Sequence, residues 1–261
     1  MIWKTLLYVS IAYVGLCAVT FILQRSMLYF PDKSRLSEGQ AGGAGLRHWP
    51  SVEDFRGFVG GGESAGTVIL FHGNAGTAYH RSFYVDALSR QGLRVVLAEY
   101  PGYGGRPGRP SEDVLVRDAL ETIRLAHHGL GGPLYRWGES LGGGVGSAAV
   151  AATDIPVAGV VLFLAWDSLP DLAQAHYWYL PARWLVLDRY DNIDNMRDYE
   201  GNIAVVLAGE DEVVPVRHGT KLYEALPTGK KLWVFEGARH NEMPVAAGLP
   251  WWEEVVAHIS R

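Results

Sequence analysis

The longest apolar run of the chain lies near its beginning. Nineteen residues from Thr5 to Leu23 are uncharged and mostly apolar, and a helix of that length just reaches across a bilayer core of about 30 Å. Trp3 and Arg25 flank the run, as expected at the two interfaces. The polar stripe typical of a buried helix and a convincing signal-peptide cleavage site are both missing. The pattern predicts an uncleaved membrane anchor over residues 1–25, with the side of the membrane left open.

The rest of the chain alternates between short apolar runs and helix-like segments. Runs with the length of buried strands lie at 67–71, 94–100, 134–137, 157–164, 203–208 and 231–235. Helices are expected at about 80–91, 112–127, 141–152, 217–226 and 251–259. This alternation predicts an α/β domain over residues 48–261, with a mostly parallel sheet and helices on both faces.

Two segments interrupt the alternation. Residues 26–47 contain a proline and four glycines, and predict a linker between anchor and domain. Residues 167–200 are rich in aromatic and charged side chains without a strand pattern, and predict an inserted lid. Its aromatic residues either line an apolar pocket or pack lid helices together, and the sequence favours neither.

A candidate nucleophile lies at one strand-to-helix junction. The apolar run 134–137 leads into Gly138-Glu139-Ser140-Leu141-Gly142, and small residues with helical spacing follow. A serine at the tip of such a sharp turn needs glycine two positions before and after it, because larger side chains would collide with neighbouring backbone. Ser140 is therefore the predicted nucleophile. The N–H of Leu141, at the start of the helix, is a predicted oxyanion donor.

A second small-residue loop follows the strand at 67–71. His72-Gly73-Asn74-Ala75-Gly76 allows backbone amides to converge on a ligand. Asn74 is the main candidate for the second oxyanion N–H, with Ala75 as the alternative. His72 is expected to be structural, because it lies at the end of a strand.

An acid and a base follow two later strands. Asp211 comes after the run 203–208, and His240 comes after the run 231–235. Carboxyl ends of parallel strands share one edge of a sheet, so these residues are expected to meet Ser140 as a Ser-His-Asp triad. The alternatives are Glu210 and Glu212 for the acid, and His218 and His258 for the base.

Composition narrows the classes of function. The 261 residues carry a net charge of −5 and contain no basic run, which argues against nucleic-acid binding. The single cysteine, Cys17, excludes an intramolecular disulfide, and no zinc-binding spacing occurs. No metal or organic cofactor is implied. The predicted partners are a small-molecule or lipid-like acyl substrate and the membrane, with the oligomeric state open.

Several motifs in order give the chain a family resemblance. It resembles membrane-anchored α/β-hydrolase-domain proteins of the serine-aminopeptidase-like type. The matching motifs are QRSMLYFP (24–31), FHGNAG (71–76), YPGYGGRPGRPSE (100–112), GESLGG (138–143), DSLPDLA (167–173), LPARWLVLDRYDN (180–192), DEVVP (211–215) and RHNE (239–242). The resemblance implies the α/β-hydrolase fold, the triad Ser140, Asp211 and His240, and oxyanion donors at Asn74 and Leu141.

The resemblance leaves the substrate open. The chain departs from the family pattern at Ala208-Gly209 and at Ala165-Trp166, and the second departure alters the pocket wall. Hydrolysis of an acyl ester or thioester is the leading hypothesis. Aminopeptidase activity would require Glu139, Asp167 or Asp171 to hold a substrate amine. A non-catalytic membrane-bound binding protein is the alternative from another class.

Overall fold

A computed structural model describes residues 2–62 and 64–261. The helices, numbered α1 to α10 in chain order, are Ile2–Leu28, Glu38–Gly43, Ser82–Ser89, Glu112–Leu130, Leu141–Ala152, Leu169–His176, Ala182–Leu185, Asn192–Met196, Val216–Ala225 and Pro250–Ile259. The strands, β1 to β10, are Phe30–Pro31, Leu46–Pro50, Phe55–Gly60, Gly66–Phe71, Ala75–Gly76, Leu93–Ala98, Leu134–Glu139, Val157–Phe163, Asn202–Ala208 and Lys230–Phe235. A 3₁₀ turn, Ala78–Arg81, precedes α3.

One large sheet organises the domain. Its strand order is β10-β9-β8-β7-β4-β6-β3-β2. The β2–β3 and β3–β6 pairs are antiparallel, and the other five pairs are parallel. The predicted mostly parallel sheet is confirmed. Because β7 lies centrally, the residue after it emerges at the middle of the sheet's carboxyl edge, where sites form in such folds.

Both faces of the sheet are covered. On β4, Val68 and Leu70 pack in the same cluster as residues of α3 and α10, whereas Ile69 and Phe71 pack with α4 and α5. This alternation follows from the period of two in a strand. The near-continuous apolar runs of the central strands thus reflect burial on both faces.

The segment predicted as a linker, residues 26–47, is largely structured. It contains the end of α1, strand β1 and helix α2. Ser37 and Gln40 form a capping box at the start of α2, which overcomes the low helix propensity of its glycines. The glycine content suggested irregular chain, and the Ser-x-x-Gln spacing was the missed signal.

Helix α1 agrees with the predicted apolar segment. It is long and apolar enough to cross a membrane by length and composition, with a mean hydropathy of 2.3 in its most apolar window. Its side chains are mostly exposed, and none of its described residues is buried. Its last turns nevertheless contact the folded domain. Arg25 forms two hydrogen bonds with Asp188, at 3.1 and 3.0 Å.

A short backbone ladder joins the end of α1 to the loop after β4. Strand β1 pairs in parallel with β5, so that Phe30 lies beside Ala75 and Pro31 beside Gly76. The Phe30 N–H donates to the Asn74 carbonyl at 2.9 Å, and the Asn74 side-chain amide donates to the Leu28 carbonyl at 2.8 Å. The anchor-like helix is therefore fixed to the loop that carries a predicted oxyanion donor.

The close contact beneath the serine turn generates a stability prediction. A Cβ on Gly142 would lie 1.8 Å from the Phe71 carbonyl oxygen, whereas one on Gly129, also helical, would meet no atom within 4 Å. We expect Gly142→Ala to destabilise the protein by about 1–3 kcal/mol, because the backbone of α5 or of Phe71 must move to make room for the new Cβ. We expect Gly129→Ala to stabilise it by about 0.5–1 kcal/mol through helix propensity. Thermal unfolding in detergent micelles measures the change in stability of both variants. Equal changes would contradict the close contact between Gly142 and the Phe71 carbonyl.

Candidate active site

The turn between β7 and α5 holds Ser140 in a strained conformation. Its φ and ψ are 51° and −112°, a region rarely adopted by a residue with a side chain. Its N–H donates to the Phe163 carbonyl, and its own carbonyl accepts from the Gly143 N–H, both at 2.8 Å. The turn has no room for side chains at its glycines, since a Cβ on Gly138 would lie 2.4 Å from the Gly142 carbonyl oxygen. These contacts give a physical reason for the G-x-S-x-G spacing.

Asp211 and His240 come together beyond β9 and β10. A hydrogen bond of 2.7 Å joins His240 Nδ1 to Asp211 Oδ2. The other oxygen of Asp211 accepts the N–H groups of Val213 and Val214, at 2.9 and 2.6 Å. The carboxylate is thus buried and fixed from three directions, and it orients the imidazole.

Ser140 and the Asp211–His240 pair are not joined by a hydrogen bond among the described residues. The serine is 7% exposed and faces a cavity that Val213 and Val214, from the Asp211 turn, also line. The structure therefore directly joins two of the three predicted residues and brings the third to the same edge of the sheet. Catalytic hydrogen bonds are often long without substrate, so the separation is compatible with a triad.

The rival residues have other partners. His218 Nδ1 pairs with Asp167 at 2.8 Å, and His258 Nε2 lies 3.2 Å from the Ile203 carbonyl oxygen. Glu212 lies 3.5 Å from Arg239. Glu210 is exposed and begins the turn, and its backbone N–H donates to the Ala238 carbonyl. Among the candidate acids and bases, Asp211 and His240 are the two that bond to each other.

His72 has the structural role that its position suggested. It is buried, with Nε2 3.1 Å from Glu99 and Nδ1 2.7 Å from its neighbour's carbonyl oxygen, that of Gly73. These contacts stabilise the loop that follows β4.

The predicted oxyanion donors, Asn74 and Leu141, line the same cavity as Ser140. The carbonyl of Asn74 accepts from Phe30 N–H and from the Tyr103 hydroxyl, at 2.9 and 2.8 Å. No acceptor for the Asn74 N–H occurs within residues 2–62 and 64–261. Leu141 is the first residue of α5, where helical N–H groups have no internal partner. The alternative, Ala75, lies in the β1–β5 ladder.

Glu139, the residue before the serine, forms an ion pair with Arg81. Arg81 donates to its Oε1 at 3.0 and 2.6 Å, and Tyr84 donates to Oε2 at 3.2 Å. Burial raises the pKa of Glu139, but the charge and hydrogen bonds of Arg81 outweigh burial and leave that pKa lowered. Glu139 therefore remains an ionised partner of Arg81.

The two other carboxylates considered for amine binding are also paired. Asp167 contacts His218 and Lys221, both at 2.8 Å, while Asp171 contacts Lys221 at 2.6 Å and Arg183 at 2.9 Å. Burial raises the pKa of Asp167, but these bonds outweigh it and lower the pKa overall. Neither carboxylate is left over for a substrate amine.

A cavity of about 440 Å³ lies over Ser140. Its walls come from the end of α1, the lid and the Asp211 turn. The apolar residues that line it include Phe21, Met27, Leu28, Leu141, Trp166, Leu169, Leu172, Leu180, Leu185, Val186, Val213 and Val214. Gln24, Arg25, His176, Asp188 and Glu212 are among its polar residues. The contribution of α1 was not foreseen, because an apolar run alone does not reveal what the end of a helix contacts.

Arg136 also contributes to the site in a way that the sequence analysis did not predict. It is buried under the serine turn, and its guanidinium donates to the carbonyls of Gly142, at 2.7 Å, and Gly143. Gly146 leaves it room, since a Cβ there would lie 2.0 Å from Arg136 Nε. Burial lowers the pKa of Arg136 to about 9. Its hydrogen bonds hold the first turn of α5 in place. In the sequence, the signal for this role was an arginine within an otherwise apolar strand.

The described residues contain no cluster of three histidine, cysteine, aspartate or glutamate side chains suited to a metal ion. The chemistry open to this edge of the sheet is that of a strained serine, an oriented imidazole and two backbone donors. This combination suits nucleophilic acyl transfer.

Several known proteins have sequences similar to that of this chain. The model of the alpha/beta hydrolase fold family matches residues 66–197. An uncharacterized protein of Mycobacterium tuberculosis (strain CDC 1551 / Oshkosh) is 33% identical over 91% of this chain and 88% of its own length. The lysophosphatidylserine lipase ABHD12 of Danio rerio is 32% identical over 79% of this chain. The chain spans only 58% of that lipase.

Solved structures agree on the fold. The Pyrococcus furiosus esterase Pf2001 superposes with a TM-score of 0.68 at 15% identity, covering 90% of this chain and 97% of the esterase. The monoacylglycerol lipase of Paleococcus ferrophilus gives 0.57 at 22% identity, covering 77% and 97%. Identities this low establish the fold alone. Taken with the family match and the lipase relatives, they show that this chain is a hydrolase and belongs to the α/β-hydrolase family.

Proposed function

We propose that this chain is a membrane-anchored serine hydrolase that cleaves an acyl ester or thioester of a lipid-like amphiphile. The observation that carries the proposal is the strained Ser140 at the floor of a mainly apolar cavity, beside the turn that fixes the Asp211–His240 pair. Strain of this kind persists only where the surrounding structure enforces it, which argues against a protein that merely binds.

The geometry supports the following roles. Ser140 Oγ attacks the acyl carbonyl while His240 Nε2 takes its proton, and Asp211 stabilises the imidazolium that forms. The N–H groups of Asn74 and Leu141 stabilise the oxyanion, and loss of one such donor typically costs about 10²–10³ in rate. His240 then protonates the leaving group as its bond to the acyl carbon breaks. Water next attacks the acyl carbon while His240 takes its proton, and His240 returns a proton to Ser140 Oγ as the acid leaves.

The cavity supports an acyl substrate. Its lining is predominantly apolar, as in sites that bury a hydrocarbon group, and its charged residues include the Arg25–Asp188 pair. The similarity to a lysophosphatidylserine lipase supports a substrate with a single acyl chain and a polar headgroup. Aminopeptidase activity has less support, because Glu139, Asp167 and Asp171 already form ion pairs.

The contacts of α1 support an uncleaved anchor. Residues 20–28 of this helix form one wall of the cavity, and Arg25 pairs with the buried Asp188. Removal of α1 would open the cavity to water and leave a buried carboxylate without its cation, which is costly. Cleavage of α1 as a signal peptide would remove one wall of the cavity.

Substitution of the two aspartates that pair with histidines tests the triad. We expect Asp211→Asn to reduce ester hydrolysis by about 10⁴-fold, because the imidazole loses its orientation and its counter-charge. The matched variant Asp167→Asn should retain activity within about tenfold, since its partner His218 lies outside the reaction. Fluorophosphonate labelling, with Ser140→Ala as the blank, provides a second measurement. Normal labelling and turnover in Asp211→Asn would refute the assignment.

The anchor predicts an intact N-terminal segment. We expect protein recovered from carbonate-washed membranes to retain residues 5–23, because α1 completes the cavity. Mass spectrometry of the terminal peptides measures this directly. An active mature chain that starts after Leu23 would show that the segment is a signal peptide.

The cavity predicts two preferences: for acyl esters over aminoacyl amides, and for long acyl chains over short ones. We expect single-chain acyl esters in detergent micelles to exceed aminoacyl-arylamides by at least about tenfold in kcat/KM. Leu172→Trp, which fills the cavity, should lower turnover of a long-chain ester by about tenfold while changing that of an acetate ester by less than about twofold. Faster cleavage of the arylamide by wild type would favour the aminopeptidase instead.

A further inference from the structure

The lid is attached to α1 well before the end of that helix. We define the lid tip as residues 177–187, which contain α7. The Tyr13 hydroxyl donates to the Tyr179 carbonyl at 3.1 Å. Gln24 donates to the Leu185 carbonyl at 3.2 Å and accepts from the Leu187 N–H at 2.8 Å. The lid tip therefore runs beside α1 from Gln24 to Tyr13, and a groove of about 480 Å³ lies between them near Tyr13.

The position of Tyr13 in the apolar run sets the depth of this contact. The uncharged run is bounded by Lys4 and Arg25, and its nineteen residues just reach across a bilayer core of about 30 Å. Tyr13 lies ten residues before Leu23, which is about 15 Å along the helix axis. A run with no length to spare must place its ends near the two edges of the core. Tyr13, and the part of the lid tip bonded to it, then lie well inside the hydrocarbon.

The lid tip has the composition that this position requires. Trp178 and Trp184 are 78% and 80% exposed, and Tyr179 and Leu187 are about half exposed. Adjacent apolar side chains exposed to this degree mark an interaction surface. The single charge of the segment, Arg183, pairs with Asp171 at 2.9 Å, which lowers the cost of removing it from water.

The cavity over Ser140 also extends past the end of the apolar run, to a depth of about 5 Å at Thr20. Thr20 and Phe21 line it, and both belong to the uncharged run of α1. Leu180 and Leu185 of the lid tip line it from the other side. The end of the cavity between these residues therefore lies below the edge of the hydrocarbon core rather than in water.

We propose that the lid tip is immersed in the leaflet nearest the catalytic domain, and that the cavity opens into this leaflet between α1 and the lid. A membrane-resident amphiphile then inserts its acyl chain laterally, from lipid, while its acyl bond reaches Ser140. The occupant of the exposed lid surface is lipid hydrocarbon. This inference rests on the proposed anchor and defines the source of the substrate of the proposed hydrolase.

Depth-dependent fluorescence quenching tests the immersion. On a Cys17→Ala background, Trp184→Cys and the control Asp198→Cys, on an exposed side chain of the domain, are labelled with an environment-sensitive fluorophore. The full chain is reconstituted in phosphatidylcholine vesicles. We expect spin-labelled lipids to quench the Trp184→Cys label, and aqueous iodide to quench only the Asp198→Cys label. Iodide quenching of both labels would overturn the proposal. Protection of the Trp184→Cys label from both quenchers would also overturn it, by indicating a protein partner.

Turnover tests lateral entry. Trp178 and Trp184 do not line the cavity over Ser140, so the double variant Trp178→Ser, Trp184→Ser should change hydrolysis of a soluble acetate ester by less than about twofold. Hydrolysis of a single-chain acyl ester embedded in vesicles should fall by about tenfold or more, because the lid loses its apolar contact with the leaflet. Equal losses on both substrates, or no loss on either, would refute lateral entry.

These measurements separate the two proposals. If wild type cleaves neither ester, the proposed hydrolase activity fails, while quenching still decides the position of the lid tip. If wild type cleaves both esters and the Trp184→Cys label faces water, the activity stands and the immersion fails.

Discussion

The buried carboxylate of Asp188 connects the parts of this molecule that create its cavity. It accepts two hydrogen bonds from Arg25 of α1, one from the Tyr29 hydroxyl at 3.0 Å, and one from the Glu112 N–H at the start of α4, at 3.2 Å. Helix, lid and catalytic domain therefore meet at one side chain that is 4% exposed. Glu112 completes the cluster by accepting the Tyr190 N–H at 2.9 Å. A buried charge is tolerated only when it is fully bonded, so each of these parts depends on the others.

The features that the sequence predicted depend on local rules. The central strands could be predicted from the sequence because burial on both faces produces continuous apolar runs. The turn at Ser140 was readable because Gly138 and Gly142 have no room for a Cβ, which is a constraint between near neighbours and fixed backbone. Asp211 and His240 could be paired because their strands, β9 and β10, are neighbours in a parallel sheet.

The features that the sequence did not predict depend on contacts between distant segments. The bond between Tyr13 and Tyr179 joins residues 166 positions apart, and neither residue carries a local signal for it. Arg136 lies in an otherwise apolar strand, and its contact with the Gly142 carbonyl depends on how α5 lies over β7. The apolar run at 5–23 predicted a helix and its environment, but not that its last turns complete a cavity.

The ladder between β1 and β5 has a mechanical consequence. It joins the end of α1 directly to the loop of Asn74 through backbone hydrogen bonds, so α1 is held rigidly against the loop that lines the cavity with Ser140. Under the proposed anchoring, Ser140 stands at a constant height relative to the bilayer. Such an enzyme reaches only the acyl bonds that lie at one depth in the leaflet. Molecules with the same bond chemistry are then sorted by how deeply their acyl bond lies in the lipid.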